Sequence, residues 1–216
     1  MARVYLYFPF KDYKKDEASK KLPGFLNEQD ESMRFHVLHG AGQILARVAA
    51  ADLLMSCAHG DIAKPTELYL CTANGTTVMT ANDLAAKLEA AGLPKTHQSI
   101  LLLNCFAGGD STLAADTEQE AGPGDTQGQT SPDSVVKTQN SYGQCLASIV
   151  AEALGGRGYR SILVGGFPGT VTSSYTLGGM GFMAGATRVL AQIDHMQWFD
   201  AKGQNTTSGP TVGKVV

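Results

Sequence analysis

The sequence predicts an α/β protein: a mostly parallel sheet with helices covering both faces. Two runs, Asp52-Leu-Leu-Met-Ser-Cys-Ala58 and Ser99-Ile-Leu-Leu-Leu-Asn104, are short and almost wholly apolar, the pattern of strands buried on both sides. Segments with helical spacing, Asp83–Ala91 and Tyr142–Leu154, alternate with such runs, and that alternation implies parallel pairing. Each of the two runs also delivers a reactive side chain, His59-Gly60 in one case and Cys105 in the other. Residues at the carboxyl ends of parallel strands line the ligand crevice of an open sheet.

Taken in order, Arg3–Phe8 is aromatic and β-branched and reads as a first strand. Residues 9–32 are charged, broken by Pro9 and Pro23-Gly24, and read as a surface excursion. Within it Lys11, Lys14, Lys15, Lys20 and Lys21 are interleaved with Asp12, Asp16 and Glu17, which suits a solvated loop better than an anion-binding patch. Arg34–Leu38 reads as a second strand. Ile44, Leu45 and Val48 share one face of a predicted helix over Ala41–Ala51. The third strand then runs into His59. Glu67–Ala73 and Thr76–Thr80 flank Asn74-Gly75, a strong two-residue hairpin signal. In the helix Asp83–Ala91, Leu84 and Leu88 lie one turn apart, Thr80 or Asn82 supplies the cap, and Gly92 with Pro94 stops it. The fourth strand ends at Cys105.

Composition changes after Cys105. Asp110–Asn140 is acidic, has Lys137 as its single base, and shows no apolar periodicity, so it buries too little to order itself. Pattern resumes with Leu146, Ile149, Val150, Ala153 and Leu154, a helical stripe closed by Gly155-Gly156. Ser161–Phe167 reads as a fifth strand, Gly178–Gln192 as a final Gly-rich helix, and the tail beyond Gly203 as loose. Leu177-Gly-Gly-Met-Gly181 lacks the spacing and the Lys-Ser/Thr of a phosphate loop and reads as a helix entry. Residues 1–216 are expected to form a single domain with a flexible acidic loop at 110–140.

At 216 residues, 43% hydrophobic and 17% charged, the chain has enough apolar content for one full core. A net charge of -3 gives no reason to expect nucleic acid. The apolar start is too short for a signal peptide, and no run approaches the roughly 18 apolar residues of a membrane span. A cytoplasmic protein without a membrane partner is expected, with delivery as a secreted effector left open. Cys57, Cys71, Cys105 and Cys145 do not make a disulfide framework in a chain of this length. Cys57-x-His59 is half of a zinc site with no second half at ligand spacing, so neither a metal nor another cofactor is expected.

A thiol and an imidazole carried to one sheet edge are what a cysteine nucleophile and its acid/base partner require. The order strand-His59-Gly60, hairpin, helix, strand-Cys105 resembles the caspase-like cysteine peptidases, which include caspases, metacaspases, clostripain, gingipains, legumain and separase. Cys105-Phe-Ala-Gly108 is similar to the Cys-x-Ser-Gly or Cys-x-Ala-Gly of metacaspase-type members, and the matching stretch is Asp52–Gly109. The resemblance implies a caspase-haemoglobinase αβα sandwich, a mostly parallel sheet with a small β-hairpin after the His-Gly motif. It also implies a cysteine endopeptidase acting on protein or peptide substrates. Cys105 would attack the scissile carbonyl, His59 would serve as general base and acid, and the amides of Gly60 and Cys105 would form the oxyanion hole.

The resemblance further implies a substrate pocket drawn from the ends of the first and fifth strands. Asp12, Ser173 and Ser174 are candidates there, with Asp61 beside the His-Gly pair, and neither strand end offers the arginines that caspases use for aspartate. The 110–140 segment stands where caspase-type members carry a processing linker, with Asp116 and Lys137 as candidate cleavage sites. His39, in Leu38-His39-Gly40, competes with His59 but comes one strand earlier and lacks a hairpin behind it. Two other functions fit the same fold class: a catalytically silent caspase-fold scaffold or adaptor, and another α/β cysteine hydrolase such as an amidase or thioesterase.

Overall fold

A computed structural model of the chain describes residues 3–29, 35–61, 64, 66–105, 107–108, 145–167, 172–176, 179–183, 196–206 and 209. In chain order the elements are β1 (Val4–Tyr7), α1 (Glu17–Gln29), β2 (Phe35–Leu38), β3 (Leu53–Cys57), β4 (Glu67–Thr72), β5 (Gly75–Thr80) and α2 (Ala81–Ala90). They continue with β6 (Ser99–Leu103), α3 (Leu146–Gly156), β7 (Leu163–Gly166), β8 (Thr172–Thr176), β9 (Gly179–Met183), β10 (Gln197–Phe199) and β11 (Asn205–Thr206).

Seven strands form one mixed sheet in the order β11-β10-β7-β6-β3-β1-β2. The five strands from β7 to β2 run parallel, and β10 and β11 add antiparallel at one edge. Every residue of β1, β3 and β6 is buried, which is why these segments read as continuous apolar runs and not as alternating ones. The chain leaves β1 toward β2 on one side and leaves β3 toward β6 on the other. A crevice therefore opens at the carboxyl ends of β1 and β3, where open α/β sheets place their ligands. Among the described residues, no helix is long and apolar enough to cross a membrane.

Helix α2 starts at Thr80, whose hydroxyl accepts from the Asp83 amide (3.2 Å) while the Asp83 carboxylate accepts from the Thr80 amide (3.3 Å). This reciprocal capping box satisfies two amides that a helix start otherwise leaves open. The ribbon β4–β5 closes with Thr72 opposite Gly75, so its tip is Ala73-Asn74. The tip falls one residue before the Asn74-Gly75 position expected from sequence, and Gly75, at φ +127°, opens the returning strand.

Several expectations are corrected. Residues 9–32 are not a surface excursion throughout, because Glu17–Gln29 is helical with Pro23 inside. Asp16 starts this helix, its carboxylate accepting from the Ser19 amide (2.8 Å) and its carbonyl from the Lys20 amide (2.9 Å). Pro23 forgoes only the bond to one carbonyl four residues back. Residues 41–51 are turns and not a helix. Ala46 bonds Gln43 and Val48 bonds Leu45 at three-residue spacing, while the Leu45 amide is taken by the Ala91 carbonyl (2.8 Å). The bond that a helix would need there goes to another element. Met180 lies in β9, paired with Tyr175 of β8, so the predicted helix over 178–192 fails in its first part. Glycines at 179 and 181 each cost a helix about 1 kcal/mol, consistent with a strand instead. Residues 184–195 lie outside the described residues. The tail is not loose at 205–206, because Thr206 and Asn205 pair with Trp198 and Phe199.

Candidate active site

The site begins with the pairing of β3 and β6. Their parallel register places Cys57 opposite Leu103, the last pair of the ladder, and His59 and Cys105 each follow two residues later. Neighbouring strands lie about 4.8 Å apart, so the chain enters the two segments from adjacent strand ends. His39 follows β2, three strand positions from β6, or about 14 Å on the same spacing. It is exposed, its ring tilted against Tyr13 at 5.1 Å. Of the two histidines, only His59 is placed beside Cys105.

The backbone around His59 is held from three directions. Its amide donates to the Tyr69 carbonyl (2.9 Å), and its carbonyl accepts from the Tyr69 amide (3.0 Å), so β4 fastens the residue after β3 has ended. The same carbonyl accepts from Asn104 Nδ2 at 3.1 Å. Gly60 lies against the Cys105 backbone, where an added Cβ would overlap the Cys105 carbonyl oxygen. No rotamer relieves a clash with main chain, so glycine is required by the close approach.

Cys105 sits in a turn that the Ala107 amide closes onto the Asn104 carbonyl (3.4 Å), and it is half-buried. The turn is fixed from behind: Gly108 donates to the Phe167 carbonyl (2.9 Å) and Ala147 of α3 donates to the Ala107 carbonyl (2.8 Å). Gly108 and Gly166 touch through their backbones, and a Cβ on either would meet the other's main chain. Ala107 and Gly108 are thus small where the chain packs on the end of β7.

Asp16 is the partner that sequence reasoning missed. His59 Nε2 lies 3.1 Å from Asp16 Oδ2, across the crevice between β1 and β3. The carboxylate is buried, with a side-chain exposure of 8% against 38% for His59. Burial alone would raise the Asp16 carboxyl, but the hydrogen bonds from Ser19 and His59 and the charge on His59 outweigh it and hold it below its ordinary 3.8. Ionised, the carboxylate can only accept, so Nε2 carries the hydrogen and the lone pair of the neutral ring sits on Nδ1. The signal available in the sequence was the helix start itself: Asp16-Glu17-Ala-Ser19 places a good cap before an acidic first turn.

Asn104 is the second residue missed. It is buried, and its Oδ1 has no hydrogen-bond partner among the described residues. A buried unsatisfied acceptor costs about 1–3 kcal/mol, against about 1 kcal/mol returned by a typical bond such as that from Nδ2.

The pocket candidates lie on different elements. Asp12 is exposed and paired with Lys15 at 3.2 Å. Asp61 is exposed, and its charge together with that of Glu67 reaches the Tyr69 hydroxyl, which burial already raises. Ser173 and Ser174 belong to the separate ribbon β8–β9, opposite Phe182 and Gly181. Asp116 and Lys137 lie outside the described residues, as does the whole 110–140 segment. Among the described residues, no group of three or more His, Cys, Asp or Glu side chains could hold a metal ion. Cys57 is fully buried, and the loss of hydration pushes its thiol well up.

No protein-family model and no curated protein sequence matches this chain. The chemistry therefore has to be argued from the strand ends themselves. A partly exposed thiol, an imidazole one strand away and a buried carboxylate behind that imidazole make the arrangement of a nucleophile, a base and an orienting group.

Proposed function

We propose that this chain is a cysteine endopeptidase of caspase-like fold that uses Cys105 and His59, with Asp16 orienting the imidazole. The observation that supports the reading is the parallel register of β3 and β6, whose last pair, Cys57 and Leu103, stands two residues before His59 and Cys105. The thiolate of Cys105 attacks the scissile carbonyl and forms the C–S bond. His59, having taken the proton of the Cys105 thiol, delivers it to the departing amine as the C–N bond breaks. Water then attacks the acyl-enzyme carbonyl while His59 takes its proton, the C–S bond breaks to release the carboxylic acid, and His59 returns the proton to the sulfur. The amides of Gly60 and Cys105 serve the developing oxyanion, and the close packing of those two backbones supports their acting together.

The test uses the full chain with a mixed fluorogenic peptide library and a thiol-directed peptidyl probe. Peptide cleavage is expected in the native sequence and a loss of at least about 1,000-fold in Cys105→Ala and in His59→Ala. Probe labelling at a different cysteine, or activity surviving Cys105→Ala, overturns the assignment. Absence of peptide cleavage from a folded chain favours a silent scaffold. Turnover of small amides or thioesters alone favours another cysteine hydrolase.

A further inference from the structure

Asn104 stands immediately before the nucleophile, is 1% exposed, and spends one side-chain hydrogen bond on the main chain of the partner histidine. A leucine would fill such a strand-end position without leaving an acceptor unpaired. The amide orientation is set by chemistry, because turning Oδ1 toward the His59 carbonyl would oppose two acceptors. Of the two strand ends that must stay in register, one carries the donor and the other the acceptor. No backbone pair of the β3–β6 ladder extends past Cys57 and Leu103, so the Asn104 side chain spans the gap where the ladder has stopped.

We propose that Asn104 is a positioning residue that fixes His59 relative to Cys105. This rests on the assignment of that pair as the catalytic one. The Tyr69 bridge holds His59 to β4 but leaves β4 free to carry it away from β6, and the Asn104 amide ties it back to the nucleophile's own strand. The side chain reaches only main chain, so its effect falls on the assembly of the pair and not on substrate affinity.

The experiment follows alkylation of Cys105 by iodoacetamide in the full chain from pH 5 to 9, resolved by mass spectrometry from the exposed Cys71, with peptide kcat and KM measured alongside. In the native sequence the pH profile of Cys105 alkylation is expected to depend on the imidazole, so His59→Ala should move it. Asn104→Ala is expected to lower Cys105 alkylation near neutral pH, and kcat with it, by about 10- to 100-fold while KM and the Cys71 rate stay put. Asn104→Asp keeps the volume. As a carboxylate it cannot donate to the His59 carbonyl, and as a protonated acid it can, so its rate relative to the native chain rises as the pH falls. That recovery compares one variant with itself and needs no assumption about how well Asn104→Ala folds. Native-like Cys105 reactivity in Asn104→Ala, or a pH-independent ratio for Asn104→Asp, overturns the positioning role alone. A Cys105 profile unmoved by His59→Ala overturns the catalytic pair, and the positioning role with it.

Discussion

The two edges of the same parallel strands each carry a histidine, and they are built to opposite ends. At the amino edge His97 is fully buried, with Nδ1 3.1 Å from the Ala49 carbonyl and Nε2 2.9 Å from the Ser99 carbonyl. Beside it Asp52 accepts from the amides of Arg3 (2.8 Å) and Ala49 (2.7 Å), tying the starts of β1 and β3 together. At the carboxyl edge His59 keeps about a third of its side chain in solvent and has Nε2 on Asp16, and its carbonyl takes the amide of Asn104, whose Oδ1 has no partner among the described residues. An imidazole with both nitrogens facing backbone carbonyls is a strut. His59, partly exposed and with a buried carboxylate on Nε2, is the one for which proton transfer is proposed.

The largest expected way to break this contrast is a single methyl group. Gly60→Ala would drive a Cβ into the Cys105 carbonyl, and neither partner is a side chain that can swing aside. Misplacement of this kind costs about 100-fold or more in kcat/KM, read on the same peptide library. Gly24→Ala, at an exposed helical site with nothing within 4 Å, is the matched control and is expected to keep full activity. Native activity in Gly60→Ala would mean that the strand ends need not meet as they do here.

That contact was legible in the sequence only as two separate motifs. The apolar runs of β3 and β6 declare themselves because both faces of each strand are buried, so no alternation disguises them. The Thr80 cap declares itself because its partner Asp83 is three residues away. Asp16 does not. Its neighbours are lysines and a glutamate, and it becomes a buried carboxylate only through His59, 43 residues along the chain. The turns at 41–51 misled for a related reason: Leu45 and Val48 are buried at helical spacing, but the Leu45 amide is satisfied by Ala91 from the far end of α2. Local pattern reports burial well and reports the partner poorly. The short strands β10 and β11 are held by cross-strand pairing at one edge, and no run of three or two residues has a period to read.

Asp16→Asn sharpens the comparison with a smaller effect. Asparagine caps a helix as well as aspartate does, so the start of α1 is kept and the melting temperature should move little. The amide cannot hold the Nε2–H tautomer as a carboxylate does, and kcat is expected to fall about 10- to 100-fold, with nitrogen chemical shifts of His59 reporting the change of tautomer. The pH dependence has a defined sign. Because the folded Asp16 lies below 3.8, its stabilising contribution is present above that value and is lost as the pH falls through the lower folded one. Asp16→Asn should therefore remove part of the acid unfolding in the pH range below 3.8. An unchanged kcat would reduce Asp16 to a helix cap.

The smallest effect is expected at the amino edge, and it runs through stability and not through catalysis. Full burial pushes His97 below 6.5, outweighing the two carbonyls and the more distant Asp52, which favour the cation. The folded chain thus resists a proton that the unfolded chain accepts, so stability is highest above pH 6.5 and declines as the pH falls from there toward the folded value. His97→Gln cannot titrate. It keeps a donor for one of the two carbonyls, the number that the neutral ring itself can serve. Urea midpoints measured from pH 5 to 7.5 should slope less in His97→Gln than in the native chain, while peptide cleavage per folded molecule at pH 7.5 stays the same. A loss of cleavage without a loss of stability would place His97 in the chemistry and collapse the distinction between the two edges. An unchanged slope would mean that His97 binds its proton equally well folded and unfolded, the two carbonyls and Asp52 offsetting its burial.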